Sequence, residues 1–76
     1  MTLTRSIYPM PDFILDALID RRLMDAYRAR PHYQQNDYIG WIIRAKQEAT
    51  RQKRLAQMLD ELARGNEYMK MAYHPK

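Results

Sequence analysis

Lys46, Thr50, Arg51 and Arg54, within "AKQEATRQKR", are the side chains whose types and spacing most resemble a site. A lysine, a hydroxyl and two guanidinium groups gathered near the start of a helix suit an anion, because the first turn adds unpaired N–H groups. The same residues also read as structural. On a helical wheel Arg51 falls in the arc of Met58 and Leu62. A guanidinium on an apolar face cannot shed its proton, so it must be paired or hydrogen-bonded. Asp37 and Glu48 are the carboxylates expected to take it, which makes Arg51 a brace of the bundle in the simpler reading.

Other candidates are weaker. Asp12, Asp16 and Asp20 are four apart, which places them on one helix face. Paired carboxylates can do acid–base work or hold a metal, but like charges at this spacing more simply mark a solvated face near a helix N-terminus. His32 could act as a base, yet no serine or cysteine nucleophile is near it, the only serine being Ser6. It reads as a surface residue at a helix start. Tyr33 and Tyr38 with Arg28 and Arg30 could stack on and neutralise a nucleic-acid strand, although the rings read more simply as core. There is no glycine-rich phosphate loop. With no cysteine, and with His32 and His74 as the only histidines, neither a metal site nor a cofactor is expected.

Helices must position these groups. Only two glycines occur, and the four prolines stand near the ends of periodic segments. Residues 1–10 read as an extended arm punctuated by Pro9. Pro11-Asp12 opens a short helix with Ile14, Ala17 and Leu18 inward. Asp20 is a plausible N-cap for a second short helix carrying Leu23, Met24 and Tyr27, which Pro31 ends. A third helix is predicted from about His32 to Lys46. Trp41, Ala45, Tyr38, Ile42, Lys46, Ile39 and Ile43 fall on an arc of about 200° of its wheel, so it should be central. Gly40 lies on the opposite edge with Asp37 and Arg44, at a cost of about 1 kcal/mol against alanine; an approaching second chain would explain it. Glu48 to Arg64 forms the fourth helix, with Leu55, Met58, Leu59 and Leu62 as its stripe. Gly65 stops it. Lys53, Gln57, Asp60 and Arg64 should face water, the last two as an i,i+4 pair.

The expected fold is therefore all-α: two short helices, then a longer helical hairpin over residues 11–66. The core anchors are Tyr38, Trp41, Ile42, Leu55, Leu59 and Leu62. Residues 67–76 form a tail that should dock in part, since Tyr68, Met69, Met71 and Tyr73 are too apolar for a free end.

Seventy-six residues allow one domain, which buries only about 60% of its unfolded surface. A hydrophobic content of 46% is an adequate core stock. No apolar run approaches the ~18 residues of a membrane span, and the first residues lack a signal-peptide pattern. Without disulfides, a reducing interior, hence the cytoplasm, is expected. The net charge of +4 admits an anionic ligand or nucleic acid as partner, but acidic residues are interspersed throughout, as on an ordinary soluble surface.

The stretch "PHYQQNDYIGWIIRAKQEATRQKRLAQMLDELARGN" resembles the C-terminal helical domain of the bacterial YdeI/OmpD-associated (bacteriocin-protection) family. The matching positions are Tyr38, Trp41, Ile42, Ala45, Lys46, Thr50, Arg51, Arg54, Leu55, Leu59, Leu62 and Gly65, and "DALIDRRLMDAYRARP" fits the two preceding short helices. Many members carry Glu where this chain has Ala49, Phe where it has Tyr27, and a β-rich domain ahead of the helical one; here the helical domain is expected to stand alone. The resemblance implies a link to envelope stress, porins or antimicrobial-peptide resistance. It implies no reaction, cofactor or catalytic residue. The expectation is a non-enzymatic module for an unknown protein partner, with a small basic nucleic-acid-binding domain as the alternative.

Overall fold

Two prolines set where the chain begins to coil. In the computed structural model, which describes residues 7–74, Pro11 and Pro31 immediately precede α1 (Asp12–Asp20) and α3 (His32–Ile43). Both are extended, and each offers its carbonyl to the first helical N–H groups: Pro11 to Ile14 and Leu15, Pro31 to Gln34 and Gln35. Between them, α2 (Met24–Ala29) ends at Arg30, which the following proline holds in an extended conformation. The fourth helix, α4 (Glu48–Arg64), stops at Gly65, whose φ of 80° is left-handed.

α1 runs through Asp20, so Asp20 does not cap α2 as expected. The turn is made by Arg22 at φ 57°. Its N–H donates to the Ile19 carbonyl and that of Leu23 to the Leu18 carbonyl. This is a Schellman closure with arginine at the position usually held by glycine. α3 also ends earlier than its wheel suggested. Lys46 is exposed in the loop before α4 rather than on a helical face.

α3 and α4 pack as a hairpin, with α1 and α2 laid against it. Ile14, Leu18, Tyr27, Tyr38, Ile39, Ile42, Leu55, Met58, Leu59 and Leu62 form the core. Among the expected anchors, Trp41 is the exception, being only half-buried against the cluster. Tyr38, fully enclosed, holds the centre instead.

The all-α reading needs one correction. Glu67–Tyr68 (β1) and Met71–Ala72 (β2) pair antiparallel, with Glu67 opposite Ala72 and Tyr68 opposite Met71. This hairpin packs back on α4. Its two-residue turn, Met69 and Lys70, has φ 52° and 64°. Two-residue hairpin loops favour such angles, but usually with Asn or Gly. Residues 1–6 of the expected arm and 75–76 of the expected tail lie outside the described residues.

Candidate functional site

The cations of the opening stretch turn inward, onto the chain itself. Arg51, in the first turn of α4, pairs with Glu48 at 2.8 Å and donates to the Ala45 carbonyl at 3.2 Å. Arg54, one turn on, donates to the Trp41 carbonyl at 2.6 Å, and its guanidinium carbon lies 5.3 Å from the centre of the Trp41 ring. Trp41 is in the last turn of α3, where carbonyls lack helical partners. The two arginines thus hold the α3–α4 corner from the α4 side. Thr50 is half-buried nearby in the same first turn. Of the two carboxylates expected for Arg51, Glu48 is the one it meets. Asp37 instead accepts from the Tyr68 hydroxyl at 3.0 Å. The Arg51–Glu48 pair is shallow, with side chains 32% and 65% exposed, which limits it to below about 1 kcal/mol.

The weaker candidates scatter. Asp12, Asp16, Asp20, His32 and His74 are all exposed. Among the described residues no three metal-ligating side chains gather. Arg28 is exposed while Arg30 is buried, and Tyr33 is half-exposed while Tyr38 is enclosed. Those four therefore do not make one stacking face.

The most elaborate polar centre was not visible to the wheel. Glu61, only 2% exposed, lies where α3, α4 and the hairpin meet. Its Oε1 accepts from the Tyr38 hydroxyl at 2.5 Å and the Met69 N–H at 2.9 Å. Oε2 accepts from the Lys70 N–H at 2.8 Å and Gln57 Nε2 at 3.1 Å. Four bonds fill the capacity of a carboxylate. Two of them hold the N–H groups of the left-handed turn, which explains how Met69 and Lys70 keep a conformation that costs side-chain-bearing residues about 1 kcal/mol each or more. Burial, then the hydrogen bond to Glu61, then that carboxylate's charge hold the Tyr38 hydroxyl well above its ordinary pKa, with Arg30 pulling the other way. The sequence carries no sign of this centre, because the donors are main-chain groups of a turn at Met69 and Lys70 that holds no Gly, Asn or Asp.

Arg30 completes this centre. It donates to Gln34 Oε1 at 3.2 Å and to the Glu61 main-chain carbonyl at 3.0 Å, and its guanidinium carbon sits 4.7 Å from the centre of the Tyr73 ring. Gln34 in turn donates to the Tyr33 hydroxyl at 3.1 Å.

Gly40 is buried rather than surface-forming. A Cβ there would stand 2.6 Å from Cε2 of Tyr8 and 2.8 Å from an Arg44 Nη. The arm crosses at this point. Tyr8 N–H donates to Asn36 Oδ1 at 2.8 Å, and Arg44 donates to the Tyr8 hydroxyl at 3.1 Å. The close approach that glycine permits is therefore made by the chain's own N-terminal strap.

No curated protein and no solved structure matches the chain. A family model does, over residues 8–65, from the strap at Tyr8 to the αL stop at Gly65. That span holds all four helices and the α3–α4 corner that Arg51 and Arg54 brace. The chain belongs to the OmdA family, described as bacteriocin-protection, YdeI or OmpD-associated.

Proposed function

We propose that this chain is a non-enzymatic interaction module of the YdeI/OmpD-associated type. It acts in the cytoplasm on a protein partner, in the setting of envelope stress or antimicrobial-peptide resistance. One observation carries this reading. The residues best suited to bind an anion, Arg51 and Arg54, already hold the α3–α4 corner through Glu48 and the carbonyls of Ala45 and Trp41. Arg44, exposed even as it donates to the Tyr8 hydroxyl, and exposed Lys53 are then the cations placed to meet a partner. Such rim charges act on encounter and specificity.

Affinity capture from a native lysate tests it. The natural chain should retain a protein that an Arg44→Glu, Lys53→Glu variant loses. The net charge of +4 favours a nucleic acid as the rival partner. Capture of nucleic acid, with affinity falling steeply as salt rises, would replace the protein-partner reading. Phosphate-induced NMR shifts confined to Lys46, Thr50, Arg51 and Arg54 would contradict the bracing role.

A further inference from the structure

Arg30 is buried to 5% exposure, yet no carboxylate hydrogen-bonds it among the described residues. Its bonds go to an amide oxygen and a main-chain carbonyl. The Glu61 carboxylate, whose main-chain carbonyl Arg30 bonds, does not serve, because all four of its acceptor positions are occupied. The contact with Tyr73 engages the charge but uses no N–H. A guanidinium has five N–H donors and keeps its proton. Two are bonded here, and Nε–H has no acceptor among the described residues.

The space that Arg30 lines is a cleft of about 220 Å³ between α2 and the end of α4. Ala26, Ala29, Leu62, Gly65 and Tyr73 make the rest of its wall. The two alanines and the glycine leave room where larger side chains would close it. A half-enclosed apolar space with one cationic group at its wall has the makeup of a small-ligand site, though it is smaller than those that hold drug-sized molecules. We infer that this cleft binds a small organic acid: a carboxylate facing Arg30, carried on a single ring or short acyl body lying along Ala26, Ala29 and Leu62. The planar fork of arginine suits a carboxylate better than the compact, strongly hydrated ammonium of a lysine would, because it offers paired donors at fixed angles. The apolar wall selects for the body. This site is separate from the Arg51–Arg54 corner and does not depend on the partner proposed above.

The test is an NMR titration of the intact chain with benzoate, and in parallel with benzamide, which has the same ring and no charge. Benzoate should shift the amide signals of Ala26, Ala29, Leu62 and Gly65 saturably, with a dissociation constant in the millimolar range expected of so small a ligand. Benzamide at equal concentration should produce less than a tenth of that response. Arg30→Met should abolish it. Because Arg30 also ties α2 to the Glu61 carbonyl, that variant can lose its fold, so Ala29→Phe supplies the second arm: it fills the cleft and leaves Arg30 in place. A folded Ala29→Phe chain should show no benzoate response. Equal shifts from benzamide, an unchanged benzoate response in Ala29→Phe, or no saturable shift in the natural chain would each overturn the inference.

Discussion

At the scale of single residues, burial sorts the polar groups. Arg51 is one-third exposed and bonds an exposed Glu48, so screening keeps its contribution small. Glu61 and Tyr38 share a bond in an enclosed site, where losing one partner leaves the other unsatisfied. The tyrosine makes this visible as a pH effect. Burial and the Glu61 carboxylate raise its folded pKa above the ordinary value near 10, and burial raises that of Tyr27. A hydroxyl that holds its proton more tightly when folded contributes fully below the unfolded pKa. That contribution is lost as pH rises toward the folded one, at up to about 1.4 kcal/mol per pH unit for each group. Stability from urea denaturation should therefore fall from about pH 10 upward. Tyr38→Phe should be less stable at neutral pH, because Glu61 loses a donor, and should show a shallower alkaline decline, with Tyr27 supplying the remainder. Equal slopes in the two proteins would mean that Tyr38 ionises as freely inside as out.

At the scale of elements, Gly40 shows how packing reverses a propensity. Alanine in a helix interior gains about 1 kcal/mol over glycine. Here the added Cβ meets the Tyr8 ring and Arg44, and Tyr8 is held by its main-chain bond to Asn36. Gly40→Ala should gain nothing or lose stability in the natural chain. In a Tyr8→Ala background it should stabilise by about 1 kcal/mol, a coupling measurable by a double-mutant cycle. Additive effects would mean that the strap does not rest on α3. The helices were legible because periodicity and punctuation agree: Pro11, Pro31 and Gly65 mark boundaries, and α4's stripe is regular. What was not legible came from contacts distant in sequence. The strap over Gly40 links positions 32 apart, and Tyr8 gives no local sign of where it lands. Lys46 fitted the apolar arc of an ideal wheel only because the wheel carries no information about where α3 stops.

For the whole molecule, α1 to α4 are drawn into one unit by apolar burial, while the C-terminal hairpin is attached through a charge. The aromatic residues of the tail led to the expectation of docking, and the hairpin packs on α4. They gave no indication of the means, because the acceptor lies in α4 and the donors are main-chain groups. Trp41, expected among the core anchors from its place in the apolar arc of the wheel, sits at the α3–α4 corner under Arg54, and the enclosed ring is Tyr38. Tyr38 is also met edge-on by Tyr68 from the tail at 5.3 Å. The polar centre and the aromatic contact therefore hold the same two parts together.

The central claim is that Glu61 fastens the tail to the bundle, and a cycle of urea denaturations tests it directly. The four proteins are the natural chain, Glu61→Leu, a chain ending at Asn66, and the combination. In the natural chain, removing the tail should cost about 3–6 kcal/mol, since charge-assisted bonds contribute about 1.5–3 kcal/mol each and two are lost along with the Tyr68 contacts. In the Glu61→Leu background the same truncation should cost less than half as much, because the turn's N–H groups have already lost their acceptor. Costs that are equal in the two backgrounds would show that the hairpin and Glu61 stabilise the protein independently, and would contradict this account.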